Sequence, residues 1–394
     1  MSLNQRAEQP VQYTPKTSLM LEFGSSSRPL SIVRAPQDID AGQKLERKGL
    51  RRSHFTGDKR TTRCSLMTIF FHTLSTFCIL AAMTRATNDT HNLRGSSDYE
   101  PWSPVIGVLT HPGDLLGGSP FIMEYVVQYL ESAGLQVVPL RYADPLIHWI
   151  LPSISGVYFG EGDLDLNLEG LYEQTAAKIY EYAVERHKQN DPFPLLGSCQ
   201  GHQLLAALAA GTTDVIMKEK YETSDIALNL DIIGDGGTML GSLPTEVQEI
   251  LKTKAVTPNF HVNGVPPEMW DNYPSLREQF KLTSTSKDPN GNVFSASMES
   301  QPGMPPMYSL QWHPEMVPYV WFYPLKDGLI KSKDAFRVSS SMSLFVAQLF
   351  RDKPHRFKSI KDLDSHLIRR SPLNCEKYGG GSMVSGLCEY QVYY

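Results

Sequence analysis

A cysteine at a tight, glycine-flanked turn is the feature that most constrains how this chain can fold. Residues 197–202 read Gly-Ser-Cys-Gln-Gly-His, with an apolar run at 193–196 before them and a helix-like run at 204–210 after them. A sharp strand-to-helix turn lifts a side chain out of the sheet edge, and adjacent glycines let a substrate approach the backbone. The N–H groups and dipole of the helix favour a thiolate. Cys199 is therefore a candidate nucleophile; the alternative is a buried structural cysteine.

A nucleophilic cysteine needs a base, and residues 308–315 (Tyr-Ser-Leu-Gln-Trp-His-Pro-Glu) supply a candidate. Their alternating apolar residues predict a strand that ends at His313, because the following proline cannot continue a hydrogen-bonded ladder. His313 lies 114 residues beyond Cys199, yet an imidazole at a strand end can face the same crevice. We expect His313 to act as general acid and base, with Glu315 orienting its ring. The alternatives are a core histidine and a solvated carboxylate.

The order of the predicted elements indicates an α/β domain. Strands and helices alternate over residues 105–210, which is typical of a mainly parallel central sheet flanked by helices on both faces. Ligands of such sheets bind beyond the carboxyl ends of the strands. Residues 211–300 are richer in Thr, Asn, Asp and Gly and predict an antiparallel extension. The predicted strands cover 105–109, 137–140, 154–159 and 193–196, and the predicted helices cover 121–133, 168–188 and 334–350.

These motifs resemble the class I glutamine amidotransferase-like superfamily, which combines a cysteine at a nucleophile elbow with a late His-x-Glu. Within it, the segments 259–261 (Asn-Phe-His) and 311–315 (Gln-Trp-His-Pro-Glu) resemble the gamma-glutamyl hydrolase family. The resemblance covers residues 103–350 and implies a flavodoxin-like fold. It also implies cysteine-dependent hydrolysis of gamma-glutamyl bonds in folate and antifolate poly-gamma-glutamates through a thioester. The alternatives are a glutamine amidotransferase or glutaminase subunit, and a non-catalytic binding protein on the same fold.

The resemblance also places substrate-binding groups on this chain. It implies an oxyanion hole built from the backbone N–H of Gln200 and the loop at Gly160 and Glu161. Glu161 departs from the family, which usually has Pro-Gly-Gly here, and a glutamate would be strained if that position needs a positive φ. His261 matches a family histidine near the substrate, and the alternative is a histidine in a surface loop. A homodimer is a further expectation from the resemblance.

The charge is distributed unevenly along the chain. Residues 1–64 carry a net charge of +6 and residues 87–394 a net charge of −12. An acidic body argues against nucleic acid as a partner. The histidines are scattered without ligand spacing, and neither a phosphate loop nor a dinucleotide fingerprint appears, so we expect no metal site and no cofactor.

An uncharged stretch with an apolar centre and a small-residue exit predicts a secretory signal at residues 65–86. Residues 1–64 are polar and basic, and we interpret them as disordered or as an extension before an alternative start at Met67. Residues 87–102 are a predicted linker, in which Asn88 begins the N-glycosylation sequon Asn-Asp-Thr. The expected destination is outside the cell or a lysosome or vacuole. An uncleaved signal anchor would instead hold the protein at a membrane.

Two cysteines near the C-terminus leave two interpretations open. Cys375 and Cys388 lie 13 residues apart in the predicted C-terminal tail, residues 351–394. They form a disulfide if the compartment is oxidising, and otherwise remain free thiols in a loose tail. In the first case Cys199 is left as the odd thiol of the domain, which suits a reactive role.

Overall fold

The computed structural model describes residues 103–113, 119–321, 327–351, 353, 355–375 and 388–392. The expectations for residues 1–64, 65–86 and 87–102, including the sequon at Asn88, lie outside these residues. In the described part of the chain, no helix is both long enough and apolar enough to cross a bilayer. Residues 97–394 form one compact unit.

The described strands and helices alternate through the first half of this unit, as the sequence predicts. The strands are β1 (Val105–Leu109), β2 (Phe121–Met123), β3 (Gln136–Leu140), β4 (Val157–Phe159), β5 (Leu195–Ser198), β6 (Thr223–Leu228), β7 (Asp231–Ile232), β8 (Thr257–His261), β9 (Phe280–Lys287), β10 (Val293–Ser300), β11 (Met307–Leu310), β12 (Leu373–Asn374) and β13 (Glu389–Gln391). The helices are α1 (Glu124–Ser132), α2 (Ile147–Ile150), α3 (Leu171–Lys188), α4 (Gln200–Ala210), α5 (Gly237–Gly241), α6 (Thr245–Thr253), α7 (Met269–Asn272), α8 (Pro274–Gln279), α9 (Met316–Tyr319), α10 (Lys333–Phe350) and α11 (Ile360–His366).

A central sheet of eight strands has the order β3-β1-β4-β5-β11-β10-β9-β7. The pairs from β3 to β11 are parallel, and the pairs from β11 to β7 are antiparallel. The predicted α/β fold with a mainly parallel sheet and an antiparallel extension is therefore confirmed. The extension also contains helices α5–α8, which the polar composition of residues 211–300 does not predict.

The core lies on both faces of the parallel strands. Successive side chains of β1 point to opposite faces, so Ile106 and Val108 join one buried cluster while Val105 and Leu109 join the other. Every residue of β1 is buried, as expected for a strand with both faces covered. Helices α1 and α10 contribute to the first cluster, and helices α3 and α4 contribute to the second.

Several predicted boundaries differ from the structure by two or three residues: the predicted strands 154–159 and 193–196 are Val157–Phe159 and Leu195–Ser198, and the predicted helix 168–188 begins at Leu171. Long-range pairing explains two further differences. The helix predicted from residue 121 begins at Glu124, because residues 121–123 form β2 and pair with β13. The strand predicted to end at His313 ends at Leu310. Beyond it, the His313 N–H donates to Pro258 O at 3.0 Å, which takes the chain out of the sheet ladder.

The C-terminal segment is part of the domain rather than a separate tail. In its described residues, β12 pairs with β13 and β13 pairs with β2, so a three-stranded sheet joins this segment to the residues immediately before helix α1. Tyr390 and Val392 are buried in the same cluster as helix α1. Cys375 and Cys388 form a disulfide beside these strands. The alternative of two free thiols is wrong.

Removing this disulfide should destabilise the domain, because the bridge restricts the unfolded chain and fastens β12 to β13. For a Cys375→Ser, Cys388→Ser double variant we expect the free energy of unfolding to fall by about 2–4 kcal/mol. Chemical denaturation measures the change. Dithiothreitol should lower the stability of the unmodified protein to that of the variant, and equal stability of all samples would contradict the structural role.

Candidate active site

The predicted elbow is present between β5 and α4. Cys199 has φ +50° and ψ −107°, a backbone conformation that residues other than glycine rarely adopt. Such a residue persists only when its surroundings hold it in place. The Cys199 N–H donates to Leu310 O at 2.8 Å, so the end of β11 fixes one side of the turn. The thiol is 4% exposed and lies at the N-terminal end of α4.

Glycine at position 201 allows the elbow to pack against the end of β4. A Cβ atom on Gly201 would lie 2.1 Å from the carbonyl oxygen of Phe159, which no side chain can tolerate. The Gly201 N–H donates to Gly160 O at 3.0 Å. The start of α4 is thereby joined to the loop that the sequence assigns to the oxyanion hole.

His313 and Glu315 form a buried hydrogen-bonded pair. His313 Nδ1 lies 2.9 Å from Glu315 Oε1, and their side chains are 3% and 1% exposed. The Ser198 hydroxyl donates to the same carboxylate oxygen at 2.9 Å. The ring of Phe260 packs edge-on against the imidazole, with centroids 6.0 Å apart. These contacts fix the orientation of the ring and favour the tautomer with a proton on Nδ1.

The pKa of His313 is raised well above its ordinary value. Burial is the largest influence and lowers this pKa, but the negative charge of Cys199 and the hydrogen bond and charge of Glu315 together outweigh it. Nδ1 is bonded to Glu315, and Nε2 has no hydrogen-bond partner of ordinary geometry among the described residues. Nε2 is therefore the nitrogen that can exchange a proton with the thiol.

Gln311 brings a donor to the cysteine. Its side-chain Nε2 lies 3.7 Å from Cys199 Sγ, within the range of a hydrogen bond to sulfur. Gln203 Nε2 donates to Gln311 Oε1 at 3.3 Å and to Asn263 O at 3.0 Å, which holds the amide in place. The Gln311 amide is thereby held next to the sulfur of the proposed nucleophile.

The residues predicted to form the oxyanion hole lie at the start of α4 and in the loop after β4. Gln200 is the first residue of α4, so no residue of the helix accepts a hydrogen bond from its N–H. The Gln200 side chain donates to Leu164 O at 2.8 Å, which ties the helix start to the loop after β4. Glu161 is not among the residues with positive φ, so the strain considered from the sequence does not occur.

The side chain of Glu161 faces the His313–Glu315 pair. One donor atom from each of the three residues lies within 4.8 Å of the other two. Tyr125 donates a hydrogen bond to Glu161 Oε1 at 2.6 Å. Burial, and next the charge of Glu315, raises the pKa of Glu161, although His313 and Tyr125 oppose this. Two carboxylates and an imidazole are possible metal ligands, but His313 Nδ1 and Glu315 Oε1 already bond to each other.

His261 lies at the end of β8 and is 7% exposed, so the surface-loop alternative is wrong. Its Nδ1 lies 2.8 Å from Asn263 O and its Nε2 lies 3.2 Å from Asn259 Oδ1. Burial lowers the pKa of His261 to about 3, which keeps the ring neutral. A contact with substrate stays a prediction, since protein groups occupy both ring nitrogens.

Three residues of this site were missed from the sequence. Ser198 supports Glu315, Gln311 contacts Cys199 and Phe260 packs on His313. Each lies next to or close to a predicted site residue, and that proximity is the only signal the sequence offers. The predicted trio of Cys199, His313 and Glu315 is brought together at the carboxyl ends of β5 and β11.

A thiol on a strained elbow, beside an imidazole–carboxylate pair and at the N-terminus of a helix, has the chemistry of a cysteine-dependent acyl-transfer site. Comparison with known proteins agrees with that class. Residues 124–331 match the family Glutamine amidotransferase class-I. Gamma-glutamyl hydrolase B of Dictyostelium discoideum is 32% identical over 272 residues, which cover 68% of this chain and 77% of that protein.

Two further relatives carry the same name. Gamma-glutamyl hydrolase of Homo sapiens is 29% identical, with 64% of this chain and 77% of that protein covered. Gamma-glutamyl hydrolase 1 of Arabidopsis thaliana is 27% identical, with 71% and 81% covered. The chain belongs to the class-I glutamine amidotransferase family, and within it to the gamma-glutamyl hydrolases.

A methyl group at position 201 should damage the elbow. We expect Gly201→Ala to lower the free energy of unfolding by at least about 1–3 kcal/mol, because its Cβ collides with the backbone of β4. Gly160→Ala is the matched control, since the nearest atom to a Cβ there is Tyr158 Cε1 at 3.7 Å. Thermal denaturation measures both variants, and equal loss of stability in the two would contradict the assignment.

Proposed function

We propose that this protein hydrolyses gamma-glutamyl bonds in folate and antifolate poly-gamma-glutamates, with Cys199 as nucleophile, His313 as general acid and base, and Glu315 as the group that orients His313. The observation that carries the proposal is the hydrogen bond between His313 and Glu315, together with the effect of the negative charge of Cys199, which raises the pKa of His313. The relatives named gamma-glutamyl hydrolase support the bond type.

In the first half of the reaction the Cys199 thiolate attacks the gamma-carbonyl carbon, and the carbonyl electrons move onto oxygen. The Gln200 N–H and the loop at Gly160 and Glu161 stabilise that oxyanion. When the carbon–nitrogen bond breaks, His313 Nε2 gives its proton to the leaving amine. The products are the distal glutamate or gamma-glutamyl peptide and a thioester on the pteroyl side.

The second half returns the site to its starting state. Neutral His313 takes a proton from water, and the resulting hydroxide attacks the thioester carbon. The carbon–sulfur bond breaks, the shortened folate leaves as an acid and the thiolate is restored beside the imidazolium. Glu315 stabilises the imidazolium without accepting its proton, because its carboxylate already receives hydrogen bonds from His313 and Ser198.

Transit through the secretory pathway, with an extracellular or lysosomal or vacuolar destination, is a further part of the proposal. The disulfide between Cys375 and Cys388 supports it, because such bridges persist in oxidising compartments. A homodimer is proposed from the resemblance alone, and light scattering during size-exclusion chromatography tests it.

Loss of the cysteine should abolish hydrolysis. For Cys199→Ala we expect release of glutamate or gamma-glutamyl peptides from pteroylpentaglutamate to fall by 10³-fold or more, on the order of losses seen for nucleophiles elsewhere. Glu315→Gln should reduce kcat by roughly 10²–10⁴-fold, since an amide favours the wrong tautomer of His313. The Cys375→Ser, Cys388→Ser variant is the matched cysteine control and should keep its activity under conditions where it is folded.

The same assay separates the alternative functions. Ammonia release from glutamine, without cleavage of pteroylpentaglutamate, would replace this proposal with an amidotransferase or glutaminase subunit. An unmodified protein that is folded yet inert towards both compounds would indicate a binding protein on the same fold.

The proposed route through the secretory pathway predicts a glycan on Asn88. In eukaryotic cells that express the full chain, peptide N-glycosidase F should increase the gel mobility of the protein. Asn88→Gln should remove that shift, and deletion of residues 65–86 should leave the protein unglycosylated inside the cell. A product without glycan and confined to the cytosol in its unmodified form would refute the proposed route.

A further inference from the structure

The carboxyl group of Glu161 stands where the resemblance predicts a glycine, and it lies against the His313–Glu315 pair. Its backbone belongs to the loop after β4, whereas the pair follows β11, two strands away in the sheet. One donor atom from each of the three side chains lies within 4.8 Å of the other two. The proposed mechanism assigns a role to the backbone of Glu161 and none to this side chain.

Each carboxyl group is hydrogen-bonded through one oxygen only. Glu315 Oε1 receives the Ser198 hydroxyl and faces His313 Nδ1, and Glu161 Oε1 receives the Tyr125 hydroxyl. Oε2 of each carboxyl group is enclosed and has no hydrogen-bond partner within the described part of the chain. Glu315 is buried and Glu161 is partly buried, and two carboxylates at this separation do not both ionise readily where water screens their repulsion poorly.

We propose that Glu161 and Glu315 hold one proton between them, with Glu315 ionised against His313, and that Glu161 is a positioning residue that sets how firmly His313 keeps its proton. The proposal rests on the catalytic roles proposed for Cys199 and His313. It adds to them a second carboxyl group beside the pair.

The hydrogen bonds decide which carboxyl group carries the proton. Glu315 accepts hydrogen bonds from two donors, the imidazole and the Ser198 hydroxyl, whereas Glu161 accepts one, from the Tyr125 hydroxyl. Burial, and next the charge of Glu315, raises the pKa of Glu161. Glu161 is therefore the carboxyl group that carries the shared proton in this proposal.

The other titratable groups around this cluster keep one charge state over the working range. Burial raises the pKa of the surrounding tyrosines and lowers the pKa of the nearby histidines, to about 4 at His111 and about 3 at His202 and His261. All of them are therefore neutral near pH 7. The tyrosines are Tyr125, Tyr129, Tyr158 and Tyr172.

Ionisation of Glu161 should raise the pKa of His313. As the pH rises, Glu161 loses its proton and places a second negative charge beside the imidazolium. That charge attracts the proton of His313, so the ring remains a cation to higher pH than it would beside Glu315 alone. Without an ionisable group at position 161, His313 should lose its proton at lower pH.

Glu161→Gln tests this with almost no change of shape, because an amide oxygen can still accept the Tyr125 hydrogen bond. The readout is the rate of iodoacetamide alkylation of Cys199 in the full chain between pH 5 and 10, assigned by peptide mass spectrometry. The rate should rise once as the thiolate–imidazolium pair forms and again as His313 loses its proton. We expect the second rise to move about one pH unit lower, or about tenfold in proton affinity.

Two further variants separate charge from structure. Tyr125→Phe keeps the carboxyl group of Glu161 but removes its hydrogen-bond donor, so Glu161 should stay neutral to higher pH. The second rise in the alkylation rate should then move to lower pH, by less than in Glu161→Gln. Glu161→Gly, with the residue that the family usually has, should reproduce the full shift if Glu161→Gln proves unstable. EDTA should not alter any profile, and a shift that disappears with EDTA would replace the shared proton with a bound divalent cation.

The outcomes distinguish this inference from the proposed function. An unchanged second rise in folded Glu161→Gln, a shift to higher pH, or a Cys199 that reacts at no pH would each overturn the shared proton. If alkylation shifts as expected while pteroylpentaglutamate is not cleaved by the unmodified protein, the substrate proposal fails and the shared proton stands.

Discussion

The sharp turn at Cys199 is the constraint on which the rest of the structure depends. A non-glycine residue at φ +50° costs about 1–3 kcal/mol, so its neighbours must hold it. The two strands that flank β5 do so: the end of β11 accepts the Cys199 N–H, and the loop after β4 accepts the Gly201 N–H. His313 follows the first of these strands, and Glu161, which lies beside His313 and Glu315, follows the second. The hydrogen bonds that hold the turn and the residues that act on the thiol thus come from one arrangement of strands.

Burial and charge act against each other throughout this pocket. Removal of water disfavours every charged form, and it is the largest single influence on the pKa of His313 and of Glu161. The imidazolium survives because two negative groups face it, Cys199 and Glu315. Glu315 is bonded to that imidazolium, whereas Glu161 has the charge of Glu315 beside it, which raises the pKa of Glu161. A buried charge here is tolerated only where a partner of opposite sign lies in contact with it.

Sequence patterns predict the elements whose conformation is determined by neighbouring residues. The apolar run of β1, the periodic helix α3 and the glycine-flanked elbow were recognisable because each depends on residues adjacent in the chain. The end of β11 and the strand nature of residues 121–123 were not, because partners far along the chain decide them. In the site, the motif residues Cys199 and His313 were predictable. Ser198, Gln311 and Phe260 could not be predicted, because the identity of a serine, glutamine or phenylalanine does not indicate which residue it will contact.

Glu161 shows where prediction from the sequence stops. The departure from glycine was visible, and backbone strain was the concern that followed from it. The structure shows no positive φ at this position and a carboxyl group beside His313 and Glu315. Whether a new carboxylate points to solvent or into a pocket depends on Tyr125, which comes from a helix 36 residues earlier in the chain.

The pairing of β2 with β13 has a consequence for the order in which the domain is assembled. Phe121 lies opposite Gln391, so β2, which leads into helix α1, cannot pair until residues 389–391 have been synthesised. Contacts between such distant residues form late, since a very long loop must close before they stabilise anything. During translation the apolar side chains of helix α1 therefore lack their contacts with Tyr390 and Val392. Apolar surface that is exposed at this stage makes a nascent protein prone to aggregation.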